Sequence, residues 1–464
     1  MRPQLLALAA LAAVPALHAQ ALPEAWQGAL PHGGDTAALR DWWAAFDDPL
    51  LVRLIEAAQA ASPDLAAATA RIAQARANRI AAGAALLPAV DASAGAARGR
   101  DELGQPLART TSAGLQMAWE LDLAGGNRAG ARAAQARLQA ADAGWHEARV
   151  ALAAETASGY VALRACQARL VQAEIDVASR EETARLTAAS AQFGLQTAGN
   201  VALARASAAQ ARAGATQRRG QCETLVNALV AATGMEAARL RAELAASTAR
   251  LPHPPGIAVT QLPAQALAQR PDLHAAERNL LAAGEEVTQT RAQQLPRLAL
   301  QGNFGFARAT SSLGSADGSI WSFGPISLVL PVFDAGRRAA ASQAARARYD
   351  EALSAYQARA RQAVREVEDA LQSLQGTEGR AADARIAAEG FRISLQATDA
   401  RYRGGLASLF ELEEARRSDV QAQVALIDLE EERTQAWITL YRALGGGWQA
   451  PGAPTASLAP ETPL

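Results

Sequence analysis

The 464-residue sequence predicts a mixed α/β chain, internally duplicated, whose strands must be completed by neighbouring subunits. Two observations carry this reading. A strand hairpin followed by helices far longer than a compact domain needs occurs over Leu295–Leu444, and a rougher copy occupies Ala85–Ala232. The copies are in register: Pro-Asp-Leu at 63–65 recurs at 271–273, and Leu-Pro at 87–88 recurs at 295–296, both at an offset of 208. A repeated unit of this kind reads as a conduit rather than a catalyst.

Residues 1–19 have the form of a secretory signal: Arg2, an apolar run from Leu5 to Val14, then small residues allowing cleavage before Gln20 or before Leu22. No cysteine lies near that cut, so no N-terminal lipidation is expected. Residues 22–48 form an irregular N-terminal segment, with Trp26, Trp42, Trp43 and Phe46 expected to pin it against neighbouring helices. The first structural repeat spans 49–250. Pro49 suits the first turn of a helix, and Leu51, Leu54, Ile55 and Ala58 follow at helical spacing. Ser62-Pro63-Asp64 divides this helix, and Leu87-Pro88 ends its second part.

Strands are expected at about 88–98 and 110–123. In the second, Leu115, Met117, Trp119, Leu121 and Leu123 alternate with Gln116, Ala118, Glu120 and Asp122. A two-stranded hairpin is marginal alone, and closing it with copies from other chains removes its edges. Residues 123–128 lead into a helix to about Gln192, which returns over about 200–232. A Pro/Gly/His-rich linker, 251–261, separates the second repeat, 262–444. Its strands are expected at about 297–307 and 320–332, with extracellular loops at 99–109 and 308–320 if the sheet spans a membrane. Leu298, Leu300, Gly302, Phe304 and Phe306 share one face opposite Gln301 and Asn303. The alternation of Trp321 and Phe323 slips after Gly324-Pro325, which calls for a bulge or bend. Helices over about 337–401 and 407–443 follow, and residues 445–464 read as a mobile tail.

Composition narrows the function. With 45 basic and 46 acidic residues the chain offers no basic surface for nucleic acid. Only five histidines occur, at 18, 32, 146, 253 and 274, too scattered for a zinc site, and no cofactor is implied. Nucleophile elbow, phosphate loop and metalloprotease motif are all missing from the sequence, so no enzyme is expected. No charge-free apolar run reaches 18 residues, which argues against membrane helices and leaves a barrel open. With the first helical turn placed at Thr197–Ala198, Cys166 and Cys222 fall eight residues out of step and are expected to be free, buried thiols. The second turn, Tyr402–Ser408, has Gly404 and Gly405 to reverse the chain and Ser408 to cap the next helix. Glu411, Glu413 and Glu414 follow. They form either a solvated first turn or, in a symmetric assembly, a ring of carboxylates at a pore mouth.

These features together resemble the outer-membrane efflux proteins of Gram-negative bacteria, the TolC-like and NodT-like exit ducts. The resemblance rests on Trp42-Trp43, Phe46, Asp48-Pro49-Leu50, Leu54-Ile55, Ser62–Leu65, Leu87-Pro88, Trp119–Leu123, Pro271–Leu273, Leu295-Pro296, Pro331–Arg337 and Tyr402–Ser408, in this order and duplicated. It implies a homotrimer in the outer membrane with four strands per chain in a twelve-stranded barrel, continuous with a periplasmic α-helical barrel. It further implies helix tips that dock on a periplasmic adaptor joined to an inner-membrane pump. By this resemblance Glu411, Glu414 and Tyr402 belong to the pore aperture. Gln196, Thr197, Ala198 and Gly199 match the first adaptor-contact tip, and Gly404, Gly405, Leu406 and Ser408 the second. Gln116, Glu120, Asp122, Gln301 and Asn303 suit a wet barrel lumen. The expected function is passive exit of drugs or small solutes, with a protein-secretion duct as the nearest alternative and a pore-free periplasmic coiled coil as the more distant one.

Overall fold

The computed structural model describes residues 23, 26, 27, 42–100, 106–257, 259 and 266–450. The signal segment lies outside the described residues. The first repeat contributes α1 (Pro49–Ala61), α2 (Pro63–Ala84), β1 (Ala89–Gly99), β2 (Ala108–Leu121), α3 (Gly126–Gln192), α4 (Ala198–Thr233) and the short α5 (Ala237–Ala245). The second contributes α6 (Pro271–Ala292), β3 (Arg297–Ser311), β4 (Gly314–Val329), α7 (Arg337–Arg403) and α8 (Leu409–Ala443).

Local chemistry sets the boundaries. Asp48 caps α1 by accepting from the Leu50 and Leu51 amides, and Pro49 fills the first helical position. Ser62 ends α1 and caps α2 through the Leu65 amide. Pro63 and Pro271 both stand at the start of helices 22 residues long. The long helices α3 and α7 have 67 residues each, about 100 Å of helix. Each is entered through a left-handed glycine, Gly125 or Gly336, and an aspartate that accepts the first amides. Asp122 accepts from the amides of Asn127 and Arg128, and Asp334 from those of Gly336 and Arg338. The duplication is thus written in helix length and capping as well as in sequence.

The four strands form one antiparallel sheet in the order β1-β2-β3-β4, so β2 and β3 join the two repeats and β1 and β4 leave open edges. Ala92, Leu115, Phe304 and Trp321 lie in one cross-strand row, and Val90, Met117, Gly302 and Phe323 in the next. Asp91, Gln116, Asn303 and Ser322 form a row on the opposite face. One face is therefore apolar and the other polar. Leu115, Phe304, Trp321 and Phe323 are exposed in the isolated chain. A Cβ on Gly114 would stand 2.8 Å from the Phe304 carbonyl oxygen, and one on Gly305 2.8 Å from the Gly114 Cα. Both lie on the polar face, where only glycine permits the β2 and β3 backbones to approach this closely.

The phase slip in β4 is a bulge: Leu300 pairs with Ile326 and Gly302 with Phe323, so Gly324 and Pro325 together oppose Gln301. The second hairpin departs from expectation. Pairing continues to Ser311↔Gly314, leaving a two-residue turn in place of a loop over 308–320. Gly314, Ser315 and Gly318 break the apolar alternation, so the sequence carries no strand signal where the ladder is still paired.

The main core sits where the middle of α3 meets α1, α4, α5, α7 and the end of α8, and it includes Trp26. Trp42 stacks on Tyr441 with ring centroids 4.9 Å apart, and Trp43 and Phe46 close the aromatic knot. Arg164 is fully buried and fully engaged, donating to Tyr160, Gln167, the Leu244 carbonyl and Ser247. Burial and a hydrogen bond to Asp48 push the Tyr160 hydroxyl up to about 12.

Two further expectations are corrected. Cys166 and Cys222 form a disulfide between α3 and α4, with Cα atoms 5.7 Å apart. The connecting turn occupies 193–197 and centres on Leu195, so the cysteines lie 29 and 27 residues from it. The mismatch falls from eight residues to two, about 3 Å along the helices. Residues 445–450 are not a mobile tail: Trp448 is buried between His146 and His274. Gly446, at φ 60°, sits so close to α3 that a Cβ would meet Val150 at 2.7 Å. The remainder of that tail, 451–464, lies outside the described residues.

Candidate channel aperture and lumen

The two helix tips are built alike. After α3, Gly194 takes φ 72°, the Leu195 amide donates to Ser190 O, and Thr197 caps α4 through the Asn200 amide. After α7, Gly405 takes φ 75°, the Leu406 amide donates to Arg401 O, and Ser408 caps α8. Gly194, Leu195 and Thr197 are therefore the equivalents of Gly405, Leu406 and Ser408, at an offset of 211. Since Leu-Pro repeats at 208, the second hairpin region is three residues longer than the first. Gln196 accepts from Asn200 Nδ2 beside the first cap, while Ala198 and Gly199 already belong to α4. Phe193, Leu195, Leu406 and Phe410 are 72–80% exposed, an apolar crest on both tips.

The three expected aperture residues have different settings. Glu411 completes a capping box: its carboxylate accepts from the Ser408 amide at 2.7 Å while its own amide donates to Ser408 Oγ. Those bonds hold its carboxyl below the usual range. Glu414 is exposed and lies 3.0 Å from Arg417. Tyr402 shares a 2.8 Å hydroxyl–hydroxyl bond with Thr187 across α7 and α3.

Next to them stands a buried network that sequence reading missed. Arg416, 3% exposed, donates to Thr183 Oγ1 at 2.6 Å and to Glu413 Oε1 at 2.8 Å. The other oxygen of Glu413 accepts from Ser207 at 2.7 Å and pairs with Arg180, itself held by Asp176 at 2.8 Å. Asp399 on α7 lies 4.0 Å from Arg416. All four long helices are thereby tied together just short of their tips. Helical spacing carried the signal: Leu409, Leu412 and Arg416 form the buried stripe of α8, and Glu413 borders it, whereas Glu411 and Glu414 do not.

In the sheet, Gln116 and Asn303 stand opposite one another on the polar face. Glu120 and Gln301 share that face, opposite Ala299 and Ala118 respectively. Asp122 is a correction. It lies beyond β2, and its carboxylate is committed to Asn127 and Arg128 at the start of α3. Among the described residues no cluster of side chains could hold a metal ion.

A four-stranded sheet with open edges, one oily face and one wet face, continuous with helices about 100 Å long, defines a multisubunit channel rather than a self-contained domain. The family model described as "Outer membrane efflux protein" matches residues 54–235 and again 262–446, one match for each repeat. The chain belongs to that family. It is 33% identical over 442 residues to the pyoverdine export outer membrane protein OpmQ of Pseudomonas putida, covering 92% of each chain. It is 31% identical over 469 residues to the outer membrane protein OprJ of Pseudomonas aeruginosa, covering 96% of this chain and 94% of that one. Among solved structures it superposes on the outer-membrane channel OprN with a TM-score of 0.80 at 29% identity, covering 91% and 97%. The protein is thus a non-catalytic outer-membrane exit duct for efflux, with its helices in the periplasm. Its sheet supplies four strands to the family's trimeric twelve-stranded barrel.

Proposed function

We propose that the duct carries small organic solutes and that its aperture lies at the tips of α3–α4 and α7–α8. The observation that carries this reading is the contrast at those tips: an exposed apolar crest directly beside a buried, charge-rich lock. Membership of a tripartite efflux family implies an adaptor and an inner-membrane pump as partners. The crest formed by Leu195 and Leu406, with Gln196–Gly199 and Gly404, Gly405 and Ser408 around it, is the surface offered to the adaptor. The Arg416–Glu413–Arg180 network and the Tyr402–Thr187 bond keep the four helices together until that contact is made. Glu414 and the outer side of Glu411 supply negative charge at the mouth, and Gln116, Glu120, Gln301 and Asn303 line the water-filled barrel. Cargo of low molecular weight is supported by the relatives' names, which specify pyoverdine, solvent and toluene export.

The test is ion selectivity in planar bilayers. Channels of the unaltered protein should prefer cations, and the double substitution Glu411→Gln/Glu414→Gln should weaken that preference. Unchanged selectivity would remove both glutamates from the aperture.

A further inference from the structure

The register of the sheet places three arginines on its lipid-facing side, above the apolar band. Arg98, Arg109 and Arg308 share the face of Leu115, Phe304 and Trp321, because strand alternation is unbroken from those residues to the hairpin ends. From the Leu121–Leu298–Leu328 row to the Ala113–Phe306–Ser319 row the apolar face runs eight residues along β2, about 26 Å along the strand. Arg308 follows two residues beyond this band and Arg98 and Arg109 four, about 7 and 13 Å further. Because the helices occupy the periplasm, the hairpin ends lie at the outer leaflet, and these guanidinium groups reach the depth of its headgroups.

Their pairing is unfavourable without a counterion. Arg98 stands directly opposite Arg109 across β1 and β2, an arrangement of like charges that weakens a sheet. All three arginines are exposed, and among the described residues none has a hydrogen-bond or ion-pair partner. Arg308 has Asp317 opposite it in register, the single acidic residue on this part of the face among the described residues. Among the described residues of this face, three arginines and one aspartate leave a net charge of +2 per chain, repeated three times around the barrel. Guanidinium pairs of this spacing suit phosphate, which accepts two parallel N–H bonds and cancels the repulsion between them.

We propose that this belt binds the phosphorylated headgroup of the outer-leaflet glycolipid and so fixes the height of the barrel in the membrane. The site is continuous with the lipid-facing band, and its occupant needs an acyl anchor to reach it laterally. A lipid with phosphate on its sugar headgroup meets both requirements.

The test uses the full-length trimer in detergent, with purified bis-phosphorylated lipid A as probe. Dephosphorylated lipid A and phosphatidylglycerol serve as comparators. The unaltered protein should bind the phosphorylated form about tenfold or more tightly than either comparator, with affinity falling as salt is raised. The variant Arg98→Gln/Arg109→Gln/Arg308→Gln should lose this preference while remaining a trimer of normal conductance. Asp317→Asn should tighten binding, which keeps the proposal testable if the triple variant does not assemble. Equal binding of phosphorylated and dephosphorylated lipid A would overturn it, as would equal binding of phosphatidylglycerol or an Asp317→Asn variant with unaltered affinity.

Discussion

Arg416 and Glu413 show how a charge can be placed deep between helices without being stranded. Arg416 and Glu413 pair with each other along α8 and reach Thr183 and Arg180 on α3 and Ser207 on α4, so removing one partner leaves a desolvated charge behind. Arg416→Met should loosen the tips by about 3 kcal/mol and raise single-channel conductance. A variant with unaltered conductance and melting temperature would remove the lock. Asp272 makes a second prediction. Burial pushes its carboxyl up, but paired hydrogen bonds from Arg270 outweigh that and hold it below the usual carboxylate range. A carboxyl depressed in the fold contributes stability above its unfolded pKa and loses it as the pH falls through the folded value. The melting-temperature gap between the unaltered protein and Asp272→Asn should therefore be full at pH 7 and shrink below about pH 4. The same gap at every pH in a thermal scan would contradict this. Residue-scale chemistry was partly legible. Asp48, Pro63, Pro271 and Ser408 announce their helix starts because caps are local. Arg416 could be found only by asking which face of α8 is buried, and of its partners Thr183 and Asp399 lie on other helices.

Elements in this chain are long, and small errors in register become large displacements. With the first turn at Thr197–Ala198 rather than at Leu195, Cys166 and Cys222 would stand eight residues out of step. In the fold they clamp α3 to α4 across 56 residues of chain. A closure of that length contributes about 4 kcal/mol in the chain-entropy account. Cys166→Ser/Cys222→Ser, or reduction, should lower the melting temperature without altering trimer formation or conductance. An unchanged melting temperature would show that the helices alone hold the hairpin. Strand alternation around Leu115 and Phe304 was readable because lipid on one side and water on the other impose a period of two. The ends of β3 and β4 were not, since Ala307, Ala309 and Ser315–Gly318 are small or polar and carry no such contrast. Trp448 likewise gave no local sign of burial. Its pocket is made by α3 and α6, remote in sequence.

At the scale of the whole molecule, duplication explains most of what a single chain can and cannot do. Two copies of a helix–hairpin–helix unit, with helices of 67 residues in each, yield one third of a barrel wall and nothing that could close by itself. Exposed Phe304, Trp321 and Phe323 would be a liability on a soluble monomer. On a barrel in lipid they are its outer surface. Repeat order and the paired Pro-Asp-Leu and Leu-Pro signals made this architecture visible in the sequence, whereas subunit number came only through likeness to a family. A conducting channel requires closure of the open sheet edges of β1 and β4 by sister chains. Conductance of the detergent-purified protein in planar bilayers tests this most directly. Discrete, long-lived steps of uniform size are expected; a protein that stays in solution without detergent and leaves the bilayer silent would contradict it.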